Sequence, residues 1–171
     1  MLDPAPLFQA DLAVQIHALS AIEAIVLTPF ALFRRRRDRI HKIAGYAWST
    51  NMLIAAFSSF FISGFGLIGP FGPIHALSLL VLFNVVWAIR AIRRRDIRAH
   101  EGIMKQTAFW GLGVAGGLTF VPGRLMHDVV FGPAPNDGTN PGLWLSFSVV
   151  GIAAAYTLLK AARDRRAAPA R

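Results

Sequence analysis

Five histidines carry most of the chemistry open to this chain of 171 residues, because it contains no cysteine. Without thiols there are no disulfides, no thiolate catalysis, and no cysteine-ligated metal or iron–sulfur centre. Four of the histidines fall into two pairs. Ile16–Ser20 read IHALS and Ile74–Ser78 read IHALS again, which matches His17 with His75. The same offset aligns Arg35, Arg36, Arg37 and Asp38 with Arg93, Arg94, Arg95 and Asp96, and after a one-residue insertion His41 corresponds to His100. Two imidazoles facing each other across a helical bundle are the ligand set of a bis-histidine haem b, and they also suit copper or zinc. The competing reading makes His17 and His75 interfacial side chains bonded to a backbone carbonyl or a lipid headgroup. His41 and His100 sit among arginines, where a solvated or headgroup-bound ring competes with a ligand role.

Other polar groups extend this chemistry. Met104 lies four residues after His100, on the same helical face, where it packs in the core or contacts a cofactor. Glu23 is an acid in the middle of an apolar stretch, which calls for a partner, water or a raised pKa and fits a proton path. It lies about 120° around the helix from His17 and so outside that histidine's site. Arg124 stands apart from the other basic residues. It suits an anionic partner such as Glu23, Asp128 or a haem propionate, or else snorkels to headgroups. His127 and Asp128 follow it and would extend an outer polar cluster. No phosphate loop, zincin motif or nucleophile elbow accompanies them.

The elements that would position these residues are membrane spans. Hydrophobic residues make up 54% of the chain and charged ones 16%, too little charge to clothe a soluble domain. Five apolar stretches, Leu12–Phe33, Ile43–Ile62, Ile74–Ile92, Ile103–Val121 and Leu143–Leu159, are separated by charged or Pro/Gly-rich breaks. Each approaches the ~20 helical residues that cross a bilayer. The expectation is an all-α integral membrane bundle of five transmembrane helices forming a single membrane domain over residues 1–171. The absence of Lys and Arg before Leu12 argues that the first stretch is a retained span rather than a secretory leader. In this arrangement every basic residue except Arg124 falls on one side, which predicts an external N-terminus and a cytoplasmic C-terminus. The net charge of +9 then serves anionic lipid headgroups rather than nucleic acid. Pro29 is expected to kink the first span, and Gly113 and Gly117 form a small-xxx-small pair suited to close helix packing or a flat cofactor. Ser63–Pro73 and Pro122–Gly142 would be the outer connections.

The repeat predicts duplication of a helix hairpin, with residues 12–62 copied as 74–121 and the fifth span, 143–159, added. Both copies run outside to inside and back, so the repeat is parallel and its pseudo-two-fold axis lies along the membrane normal. His17 and His75 then share one depth near the outer boundary. His41 and His100 share another near the inner one, about 27 Å away, a wide spacing for two stacked haems.

These residues also resemble a known family. His41, Lys42 and Gly45, the start Gly72-Pro73-x-His75, and the run from Arg93 and Arg94 through His100 to Met104 are similar to the bacterial predicted membrane proteins of domain of unknown function 2306. The resemblance covers about Ile16–Arg124. It implies a bacterial inner-membrane location and histidine-bearing positions, with no established activity. The leading expectation is a membrane module that binds haem b or a metal ion at histidine pairs and passes electrons, alone or within a larger membrane redox complex. Arg124 would neutralise propionates. The alternative is a non-catalytic membrane subunit or assembly factor, for example one handling copper for an oxidase. A transporter centred on Glu23 ranks third, because the spans offer few polar groups beyond Glu23, Asn51 and Asn84.

Overall fold

A computed structural model describes residues 2–34, 36–62, 73–132 and 141–167. The loop readings at 63–72 and 133–140, together with Arg35, Gly72 and Arg171, lie outside the described residues. Within them every regular element is helical and no strand is present. The helices are α1 (Ala5–Gln9), α2 (Leu12–Thr28), α3 (Arg39–Ser58), α4 (Pro73–Arg93), α5 (Ile97–Ala108), α6 (Ala115–Leu118), α7 (Leu125–Phe131) and α8 (Pro141–Ala167). Leu12–Phe33 and His75–Arg93 are long and apolar enough to cross a membrane. The chain divides into two compact units, Ala5–Ala115 and Met1–Pro4 with Gly116–Arg171.

The Ala5–Ala115 unit is built from two helix hairpins, α2 with α3 and α4 with α5, and α3 also packs on α4. Each hairpin turns at an aspartate that starts the returning helix. Asp38 accepts from the backbone N–H of His41 at 3.1 Å, and Asp96 accepts from that of Ala99 at 3.0 Å. Both carboxylates thereby satisfy a backbone donor that a helix start leaves open. This is why α3 and α5 begin at Arg39 and Ile97, inside the charged turns, rather than at the apolar residues Ile43 and Ile103. The end of α4 closes with Asp96 N–H on the Ala91 carbonyl and Arg95 N–H on that of Ile92, with Arg95 left-handed at φ 62°. An ion pair between Arg37 and Glu101 links the two turns.

Asp38 is further held by Arg34, whose Nε donates at 3.1 Å and whose Nη2 donates to the second oxygen. The Arg34 guanidinium, followed by the His41 amide, keeps this carboxyl well below the usual carboxylate range. A depressed carboxyl stabilises the fold above its unfolded pKa, about 3.9, and loses that contribution as pH falls through its own lower value. Asp38→Asn, which still caps the helix, should therefore differ from the wild type by a constant stability above roughly pH 4. The gap should close in stronger acid, as followed by helix unfolding in detergent at a series of pH values.

The core of this unit is a ladder of small and medium residues with one large side chain. Ala24, Ala31, Ala44, Met52, Ala56, Val81, Val85, Ala88 and Met104 pack around Trp48, which is 0% exposed. Trp48 Nε1 donates to Thr28 Oγ1 at 3.0 Å, and that hydroxyl donates to the Ala24 carbonyl at 2.7 Å. Met104 is thus a core residue. Two helices widen into π-turns, at Pro29–Phe33 and Phe109–Val114. At the first, proline has no N–H for the preceding turn, so the expected kink takes the form of a wide turn. In the second, a Cβ on Gly111 would lie 2.8 Å from Met52 Cε and 2.9 Å from Val81 Cγ2. Gly111 is the glycine that permits close helix approach here, since a Cβ on Gly113 would meet only the Ala108 carbonyl oxygen at 4.0 Å.

In the other unit, a Cβ on Gly117 would press on Val149 at 2.5–2.8 Å, and Ser146 Oγ donates to the Gly117 carbonyl at 3.1 Å. Asp3 N–H donates to the Val129 carbonyl at 3.0 Å, tying the start of the chain to α7. Gly113 and Gly117 therefore do not act as one packing pair.

Candidate functional site

The end of α3 gathers the most chemistry in the Ala5–Ala115 unit. Here the helix tightens into a 3-10 turn at Ser59–Phe61, and tightening of this kind frees carbonyls from the regular ladder. His17, from the start of α2, places Nδ1 2.8 Å from the Ala55 carbonyl oxygen. Ser58 Oγ reaches the same oxygen at 3.1 Å. A carbonyl only accepts, so Nδ1 of His17 carries the proton and the neutral ring has its lone pair on Nε2. His75, in the first turn of α4, is 5% exposed, and its ring lies 5.8 Å from that of Phe60. Ser59 and Ser78 meet with their hydroxyl oxygens 2.7 Å apart. Both IHALS segments thus come to the end of α3, His17 against Ala55 and His75 against Phe60.

The serines are the part that pattern reading missed. Ser20, Ser58, Ser59 and Ser78 are all buried, two of them as the last letter of IHALS. Their signal was a run of small hydroxyl residues at the end of an apolar span. Each of Ser58 and Ser59 also bonds a carbonyl one turn back in α3, which removes the cost of burying it.

The other pair is differently furnished. His100 Nδ1 lies 3.0 Å from the Ala88 carbonyl oxygen in α4, so it too carries its proton on Nδ1. His41 Nδ1 is shielded from solvent and has no hydrogen-bond partner among the described residues. Both rings are half-buried and stand in the first turns of α3 and α5.

Glu23 is exposed, about 100° around α2 from the buried Ala24. Arg124 and His127 belong to the other unit, at and just after the start of α7. His127 is fully buried, with Nδ1 3.1 Å from Asp128 Oδ1 and the Phe131 ring 5.5 Å away. Asp128 is partly exposed. Among the described residues, no three histidine, aspartate or glutamate side chains come together as a metal-ion cluster.

A family model described as "Predicted membrane protein (DUF2306)" matches residues 14–130. The chain belongs to that family. The match takes in all five histidines and both hairpins, and it stops short of α8. The family's description states a membrane location and no activity. Neither the curated proteins nor the solved structures hold a match to this chain.

Proposed function

We propose that this membrane protein holds a haem b between His17 and His75 and works as an electron-transfer module. One observation carries the reading, the bond from His17 Nδ1 to the Ala55 carbonyl. Ligating histidines usually donate their second nitrogen to a carbonyl or carboxylate, which orients the ring and raises the basicity of the free nitrogen. His75 beside Phe60, with hydroxyls of Ser59 and Ser78 near, supports a companion ligand in a largely apolar wall. Two axial imidazoles suffice for haem, whereas zinc takes three or four protein donors. Copper or zinc is the alternative occupant. The cofactor would supply the redox chemistry, and the protein would set its position and potential.

The setting of this reading is a five-span protein of a bacterial inner membrane, duplicated in its first four helices, with the N-terminus outside. The shared Asp38 and Asp96 caps support the duplication. The arginines around both caps support a cytoplasmic rim against anionic headgroups. The test is an absorption spectrum of protein purified from haem-supplied cells, with elemental analysis alongside. An intense near-ultraviolet haem band that sharpens on reduction is expected. A colourless protein without copper or zinc would end the proposal. It would favour instead a non-catalytic subunit or assembly factor, a reading to which the apolar outer face of α2 lends weight.

A further inference from the structure

We propose that His41, His100 and Met104 form a second site, at the end of the core beside the two charged turns, that holds a monovalent copper ion. Each histidine heads the buried stripe of its own helix. His41 is followed at helical spacing by Ala44, Trp48 and Met52, and His100 by Met104 and Thr107, all of them buried. Ala44, Trp48, Met52 and Met104 belong to one core cluster, so the two stripes lead into the same interior. The starts of the two helices also converge. Both α3 and α5 pack on the wide turn Pro29–Phe33, and the ion pair between Arg37 and Glu101 joins them.

His41 supplies the atom that asks for a ligand. Its Nδ1 is shielded from solvent and has no hydrogen-bond partner among the described residues, and a buried nitrogen in that state calls for water or an ion. The sequence match that sets His17 against His75 also sets Phe30 against Ala88. Ala88 offers His100 its carbonyl at 3.0 Å, whereas Phe30 lies in the turn that Pro29 opens, and His41 gains no such bond. Ligation through Nε2 would leave Nδ1–H of His41 without the acceptor that ligating histidines usually have. Ligation through Nδ1 removes the deficit, and metal ions accept either ring nitrogen. His100, with its proton held on Nδ1 by Ala88, keeps the Nε2 lone pair for a metal. Helix side chains lean toward the start of their helix, so Met104 brings its thioether back toward His100.

Two imidazoles and a thioether select the ion. Calcium and magnesium require oxygen ligands. Structural zinc takes four protein ligands of nitrogen, thiolate or carboxylate type. A thioether is a soft donor that favours Cu(I), and imidazole suits copper as well. The flanking Arg39, Lys42 and Arg98 are cationic and exposed, which weighs against a divalent ion more than a monovalent one. The site is separate from His17 and His75, and the inference does not rest on haem there.

The test is anaerobic titration of the full-length protein in detergent with Cu(I), in competition with a coloured Cu(I) chelator. His41→Gln and His100→Gln should each weaken binding at least about a hundredfold, because even the outer partners of a ligand are worth ten- to a hundredfold. Met104→Leu, which conserves core volume, should weaken it about tenfold. His17→Ala and His75→Ala should leave this binding unchanged, which separates it from any metal held at the end of α3. X-ray absorption of the Cu(I) protein should show a sulfur neighbour in the wild type and none in Met104→Leu. A wild type that cannot compete with the chelator would overturn the proposal. So would Cu(I) binding that survives His41→Gln and Met104→Leu, or tighter binding of Zn(II) than of Cu(I) at these residues.

Discussion

His17→Ala and His75→Ala are each expected to abolish the six-coordinate haem component, leaving a protein that inserts and keeps its helix content. The size of the effect follows from ligation, since a bis-histidine site loses an axial bond with either change. The two variants should not be identical in stability. His17 removes a bond to Ala55, yet Ser58 still donates to the same oxygen at 3.1 Å, so no buried carbonyl is orphaned. His75 is buried against Phe60, and truncating it leaves a hole beside that ring. Far-ultraviolet circular dichroism and gel filtration separate loss of cofactor from loss of fold. Unchanged spectra in both variants would return the two histidines to interfacial anchors.

Trp48→Ala should be the most destabilising single change in the Ala5–Ala115 unit, at about 3–5 kcal/mol. Its neighbours Ala24, Ala44, Ala56 and Ala88 are small and cannot swell into the vacated volume, so a cavity remains. The change also leaves Thr28 without its indole donor, although that hydroxyl keeps its bond to Ala24. Trp48→Phe fills most of the space and forfeits only the indole bond, so about 1 kcal/mol is expected. Unfolding of each variant in graded detergent mixtures measures both. Similar losses for the two would place the importance of Trp48 in its N–H rather than its bulk.

The helical character and membrane setting were legible because long apolar runs leave the backbone no partner but itself. The hairpin turns were legible in outline, since arginine runs ending in aspartate mark both. Their consequence was not foreseen, because a cap lets α3 and α5 start several residues before the apolar pattern does. The helical angle between Glu23 and His17 separated the acid from that histidine's site, but not which face it would take, and the structure leaves it exposed. Glycine spacing misled. Gly113 and Gly117 match a packing motif, yet Gly111 is where Met52 and Val81 press close, a property of the π-turn that no periodicity signals. The differing states of His41 and His100 were equally hidden. They depend on whether a carbonyl of the neighbouring helix, Ala88 in one case, happens to face the ring. The short helices Ala5–Gln9 and Leu125–Phe131 are too brief to show a period at all.

Electron paramagnetic resonance of the oxidised, haem-loaded protein tests the central claim most directly, because it reports the axial ligands of the iron. The account predicts a low-spin ferric signal with two imidazole ligands in the wild type, replaced by a high-spin signal or none in His17→Ala and in His75→Ala alike. A low-spin bis-imidazole signal that survives both substitutions would contradict it, and would move the ligands away from the end of α3.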